Sequence, residues 1–224
     1  MKKFIYSFIF LFFLFDTSSF AAVTVISDDD ERTKVTKNGK TYLSQIWYGN
    51  RFEVDEEVTF GTKKLQKVDA TKYEKYLKEV DERVLNKIGD YKVYIIQNQL
   101  KDYKTFTGLS FTDNTAVIFG TYYKMSDRAI ATLAVHELGH NVDFRLMDEK
   151  LWKEYKEIRG ITNAKIYNDN AKDQKNRPQE IFAEDFRLLY GGEDARITSH
   201  VNSDLENPTE NEELKAFFEK VIGE

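Results

Sequence analysis

The chain has 224 residues, 33 Lys and Arg against 38 Asp and Glu, a formal net charge of −5, and no cysteine. The lack of cysteine excludes a disulfide framework and thiolate metal sites. Mildly acidic, interspersed charge gives no electrostatic footprint for nucleic acid or an anionic membrane.

Met1-Lys2-Lys3 leads into an uncharged run from Phe4 to Phe15, and small residues follow at Ser19 and Ala21. This order predicts a secretory signal peptide over residues 1–21 and an extracellular mature protein starting near Ala22. The run is well short of the roughly 20 residues that span a bilayer, so no stable membrane insertion is expected after cleavage. Removing Lys2, Lys3 and Asp16 from the 33 basic and 38 acidic residues leaves 31 and 37, a net charge of −6.

Residues 22–68 divide into a polar leader and N-terminal strands. The acidic run Asp28-Asp29-Asp30-Glu31 predicts a solvated, flexible stretch over 22–40. Within it, Lys37-Asn38-Gly39-Lys40 carries an Asn-Gly hairpin signal. Aromatic and β-branched residues from Tyr42 to Phe60 suggest one or two strands. Residues 69–224 read as the main domain. Apolar residues at three- and four-residue steps predict a helix over Thr71–Ile88 that Gly89 ends. Strands are expected at Tyr91–Gln97 and Thr115–Gly120. Ser126 caps the next predicted helix, which runs to Leu146, and another covers Lys150–Ile158. After a polar loop over 161–177, Pro178 opens a helix that reaches Leu189 and stops at Gly191-Gly192. An amphipathic helix from Asn211 to Ile222 closes the sequence. Strands first and helices later predict an α+β layout, a small sheet lobe ahead of a helical lobe.

The chemistry concentrates in His136-Glu137-Leu138-Gly139-His140, which holds two of the three histidines. Residues four apart are neighbours on one helix face, so both imidazoles can bind one Zn²⁺. Glu137 is then placed to take a proton from an activated water and return it to a leaving amine. A catalytic zinc takes three protein ligands. Glu180 in Glu180-Ile181-Phe182-Ala183-Glu184-Asp185-Phe186 is the candidate for the third, with Glu184 the alternative ligand or a hydrogen-bond acceptor for a ligand histidine. Asp143 reads either as a further such acceptor or as an ordinary helix carboxylate. His200 stands outside any recognisable ligand spacing.

These two stretches together, the first extended through Asn141-Val142-Asp143 and the second through Arg187, resemble the anthrax lethal factor-like metallopeptidases, a family that includes the secreted Pro-Pro endopeptidases. The resemblance covers roughly residues 130–190 well. It implies a zincin-like fold with one zinc per chain, held by His136, His140 and Glu180, and with Glu137 as general base. It also implies an oxyanion-stabilising tyrosine a few residues before the third ligand. Seven residues before Glu180 stands Asp173, and the nearest upstream tyrosine is Tyr167. Tyr167 is therefore the candidate donor, with His200 and Tyr190 as fallbacks. An extended peptide or protein substrate is expected to pair with an edge strand, for which Thr115–Gly120 is the candidate, with Phe106, Phe111, Tyr122 and Tyr123 as pocket residues. Proline-rich targets follow from the resemblance alone. Competing readings are a zinc-binding toxin-like or regulatory module without turnover, and a zinc hydrolase acting on a cell-wall amide.

Overall fold

The computed structural model describes residues 23–27, 34–37, 40–43, 76–96, 108–112, 115–119, 126–165 and 173–223. The signal peptide expected over 1–21, residues 44–60 of the Tyr42–Phe60 stretch expected to hold one or two strands, and Phe106, Tyr122, Tyr123 and Tyr167 lie outside the described residues.

The layout is α+β, with most of the strands preceding most of the helix. Strands β1 (Val23–Ser27), β4 (Tyr91–Ile96), β6 (Thr115–Phe119) and β5 (Gly108–Phe111) lie side by side in that order. β1, β4 and β6 run parallel, and β5 is antiparallel to β6. Separately, β2 (Lys34–Lys37) pairs antiparallel with β3 (Lys40–Leu43), with Lys37 opposite Lys40. Three expectations need correction. Val23–Ser27 belongs to the sheet, because Val-Thr-Val-Ile has the β-branched content of a strand that averaging with the neighbouring acidic run conceals. Thr115–Phe119 is an interior strand, paired on both sides. Among the described residues the sheet ends in β1 on one side and in β5 on the other, and no sequence signal had marked β5.

Thr71–Ile88 was expected as one helix. Tyr76–Lys78 are helical, but the chain turns at Glu79 and Val80 before α1 (Glu82–Ile88) begins. Asp81 causes the restart, since its carboxylate accepts the Arg83 backbone N–H at 2.9 Å and caps a new helix. Gly89 ends α1 at φ 84°, a conformation open to glycine.

The remaining helices are α2 (Asp127–Leu146), α3 (Glu149–Ile158), α4 (Pro178–Tyr190) and α5 (Glu212–Gly223). Each start has a visible cause. Ser126 accepts from Ala129 N–H at 3.2 Å, Asp148 from Leu151 N–H at 2.7 Å, and Asn211 from Leu214 N–H at 2.8 Å. Pro178, with no N–H to leave unpaired, opens α4. α2 packs on β5 and β6 on one side and on α4 on the other. Behind α4, Phe182 sits 5.2 Å from the Tyr155 ring and 5.0 Å from that of Phe218, joining α3, α4 and α5 in an aromatic core. No helix among the described residues is long and apolar enough to cross a membrane.

A charged knot lies within this helical layer. Asp185 is fully buried and accepts the Tyr155 hydroxyl at 2.6 Å. Arg159 Nε lies 3.1 Å from its carboxylate and His200 Nε2 lies 3.2 Å away. Arg159 also donates to the Glu206 carbonyl at 3.0 Å. Removing one member of such a knot strands a buried charge, which is far more damaging than losing an exposed ion pair. Asp185→Ala should therefore lower unfolding free energy by about 3–5 kcal/mol, read by urea denaturation. A change below about 1 kcal/mol, the scale of an exposed pair, would show that the knot is not structural.

Candidate metal centre

α2 and α4 cross where side chains are smallest. A Cβ on Gly139 would sit 2.8 Å from the Ala183 Cα, so the two backbones approach as only a glycine permits. Gly139 adjoins His140, and Ala183 lies between Glu180 and Glu184. The crossing therefore brings the two motifs face to face.

His136, His140 and Glu180 offer three donor atoms that all lie within 4.8 Å of one another. Glu180 Oε2 is 3.3 Å from His136 Nε2 and 3.7 Å from His140 Nε2. Donors about 2.0–2.1 Å from a tetrahedral ion stand roughly 3.3 Å apart, so these separations and the N,N,O donor set fit one metal ion. The imidazole rings stand edge to face with centroids 4.9 Å apart, and both are largely shielded from solvent.

Glu184 does not join the donor group. Its Oε1 lies 2.8 Å from His136 Nδ1. An ionised carboxylate can only accept, so Nδ1 carries the hydrogen and Nε2 is turned to the donor cluster. Arg187, fully buried, holds Glu184 from the far side through Nε at 3.0 Å and Nη2 at 2.7 Å. Its guanidinium also donates to the carbonyls of Ala195, Thr198 and Ser199. Gln174 Nε2 donates to Glu180 Oε2 at 3.2 Å. Neither Arg187 nor Gln174 was singled out from sequence, although the Glu184–Arg187 spacing of three was readable.

Glu137 is buried and points toward the sheet. Ser110 Oγ lies 2.6 Å from its Oε2 and 2.7 Å from its backbone carbonyl. Asp143 takes the Trp152 indole N–H at 2.9 Å, which joins α2 to α3. The fallback oxyanion donors are engaged elsewhere. Tyr190 donates to Glu219 at 2.9 Å, and His200 is part of the Asp185 knot. A cavity of about 480 Å³ opens beside the cluster, lined by Thr132, Leu133, His136, Lys175, Glu180 and Val201 among others. Val201 is 53% exposed. Comparison with protein-family profiles, with curated proteins and with solved structures finds no match.

The electrostatics follow from this packing. Burial opposes a charge on His136, but hydrogen bonds to Glu180 and Glu184 prevail and raise its pKa to about 10 in the metal-free protein. Burial likewise opposes the charge on Glu180 and Glu184. Hydrogen bonds from His136 to both, from His140 to Glu180 and from Arg187 to Glu184 nonetheless hold both carboxyls well below the ordinary range. The His136 proton thus stabilises the metal-free fold below about pH 6.5, and that gain is lost as pH rises toward 10. Metal binding has the opposite slope, because a ligand imidazole must be neutral. Apparent metal affinity should rise about tenfold per pH unit between roughly pH 7 and 9, measured by competition with a chelator of known proton linkage. A flat profile would mean that His136 is already neutral.

Gly139→Ala should force α2 and α4 apart. The expected result is a stability loss of about 1–3 kcal/mol and a roughly tenfold or greater fall in metal affinity. Unchanged affinity would separate the helix crossing from the metal centre.

Proposed function

We propose that the chain is a secreted zinc metalloendopeptidase of the lethal factor-like kind, cutting extended peptides. The observation that carries this reading is the meeting of His136, His140 and Glu180 at ligand spacing, with Glu137 next to the first ligand on the same helix. The donor set supports zinc, which favours nitrogen and carboxylate ligands in a four-coordinate site with one position left open. When bound, zinc supplies a Lewis acid that makes water a usable nucleophile near neutral pH and polarises the scissile carbonyl.

The protein's own groups do the rest. Glu137 accepts the proton of the attacking water and delivers it to the amide nitrogen as the C–N bond breaks, so hydroxyl and hydrogen end on opposite products. Glu184 fixes the His136 tautomer and increases its strength as a ligand. Gln174 steadies Glu180 before any ion arrives. Among the described residues β5 pairs only with β6, which supports β5 as the strand that an extended substrate would join. The cavity bounded by Leu133 and Val201 offers an apolar wall for a substrate side chain. Proline-rich targets remain what the resemblance implies, with Tyr167 as its oxyanion donor.

A second reading is a zinc-binding module without turnover. It is favoured by one observation: neither Tyr190 nor His200 is available to the metal cluster. Loss of an oxyanion donor costs on the order of 10²–10³ in rate, so such a protein would bind metal and barely react.

The two readings part on one experiment, digestion of a diverse peptide library by wild type and Glu137→Gln with a chelator control. The peptidase reading expects cleavage that chelation stops, and a loss of roughly 10²–10⁴ in rate for Glu137→Gln at unchanged zinc content. One bound zinc and no cut peptide favours the module. Full activity in Glu137→Gln would overturn the mechanism.

A further inference from the structure

β5 meets α2 at Glu137, a carboxylate that takes no part in the donor cluster. Residues two apart share a strand face, and here that face carries Gly108 and Ser110. The Glu137 side chain fills the space above Gly108: a Cβ there would lie 2.8 Å from Glu137 Cδ and in outright collision with Oε1. Ser110 Oγ stands 2.6 Å from Oε2, the length of a hydrogen bond from a hydroxyl to an ionised carboxylate. The same Oγ lies 2.7 Å from the Glu137 carbonyl, yet a hydroxyl has a single proton to give. Asn141 Nδ2 already donates to that carbonyl at 3.1 Å. The carboxylate is the charged acceptor and the stronger claimant.

We propose that Gly108 and Ser110 form a socket that sets the direction of the Glu137 carboxylate, with Ser110 a positioning residue for proton transfer. This rests on the reading of Glu137 as general base. The glycine supplies room that any side chain would fill, and the serine fixes one oxygen so that the carboxylate does not wander among rotamers. A base displaced by about 1 Å can lose as much as 100-fold in rate. The strand that the proposed function offers to substrate thus also aims the base with its inner face.

The test combines metal-free crystal structures with kinetics of the zinc-loaded protein on proline-containing quenched-fluorescence peptides. Wild type, Ser110→Ala, Ser110→Thr, Gly108→Ala and Glu137→Gln are compared. Gly108→Ala presses on the far end of a flexible side chain, so it moves the carboxylate without breaking the fold. The expected crystallographic result is a carboxylate seated against Ser110 in wild type and displaced in Ser110→Ala and Gly108→Ala. The expected kinetic result is a kcat lower by roughly 10- to 100-fold in both, with KM and zinc affinity within about twofold. Ser110→Thr keeps the hydroxyl and should recover to within about threefold of wild type. A merely structural serine would lower thermal stability and leave kcat alone. The socket is overturned if Glu137 stays in place in both variants. It is also overturned if both turn over at the wild-type rate while Glu137→Gln is inactive. Activity in Glu137→Gln would instead remove the base assignment and the socket with it.

Discussion

The close approach of α2 and α4 at Gly139 and Ala183 is the constraint on which the site depends. Glycine within a helix costs about 1 kcal/mol relative to alanine, so its presence mid-helix calls for a packing reason, and the Ala183 backbone supplies one. Ligands on two helices meet only if the helices cross at their own level. Here the point of nearest approach lies beside His140 on α2 and between Glu180 and Glu184 on α4. Moving the crossing by one turn, about 5.4 Å, would leave two imidazoles facing no carboxylate. The aromatic layer behind α4 holds it against this contact, with Phe182 wedged between Tyr155 and Phe218.

From the crossing a continuous polar line runs outward. His136 leans on Glu184, Glu184 on Arg187, and Arg187 on three carbonyls of the segment after α4. That segment contributes Thr198 and Val201 to the cavity beside the cluster. Burying a guanidinium and a carboxylate is tolerable only when nearly every donor and acceptor is used, and Arg187 spends its donors on both the acid and the loop. The ligand orientation and the cavity wall are therefore set by the same side chain. Asp185, the next residue after Glu184, faces a different side of α4, into the Tyr155, Arg159 and His200 knot. Adjacent acidic residues thus serve the site and the core separately, as the helical turn of about 100° per residue requires.

Much of this was legible beforehand. Helix ends followed their capping residues, and the contact of Glu184 with His136 followed from its place one turn beyond Glu180. What escaped the sequence had physical reasons. Gly108-Leu109-Ser110-Phe111 is too short and too mixed to announce a strand, so Ser110 had no address from which to reach Glu137. The break before α1 depends on a single side-chain contact from Asp81, which overrides an otherwise unbroken apolar period. β1 was hidden because its five residues were averaged with acidic neighbours. His200 stood in the sequence as a fallback oxyanion donor, and only the fold shows its Nε2 3.2 Å from Asp185.

Charge explains why these parts belong together. Glu180 and Glu184 carry two negative charges into a shielded space, and Arg187 returns one positive. One negative charge remains. In the metal-free protein part of that deficit falls to a proton on His136, which is why burial fails to expel it and its pKa climbs to about 10. The proton occupies the role that the cation would take, held by the same Glu180 oxygen. A metal ion bound there would compete with that proton for one imidazole, so its affinity would depend on pH. Glu137 differs from Glu180 and Glu184 in its partner, a serine hydroxyl on β5 in place of a histidine ring.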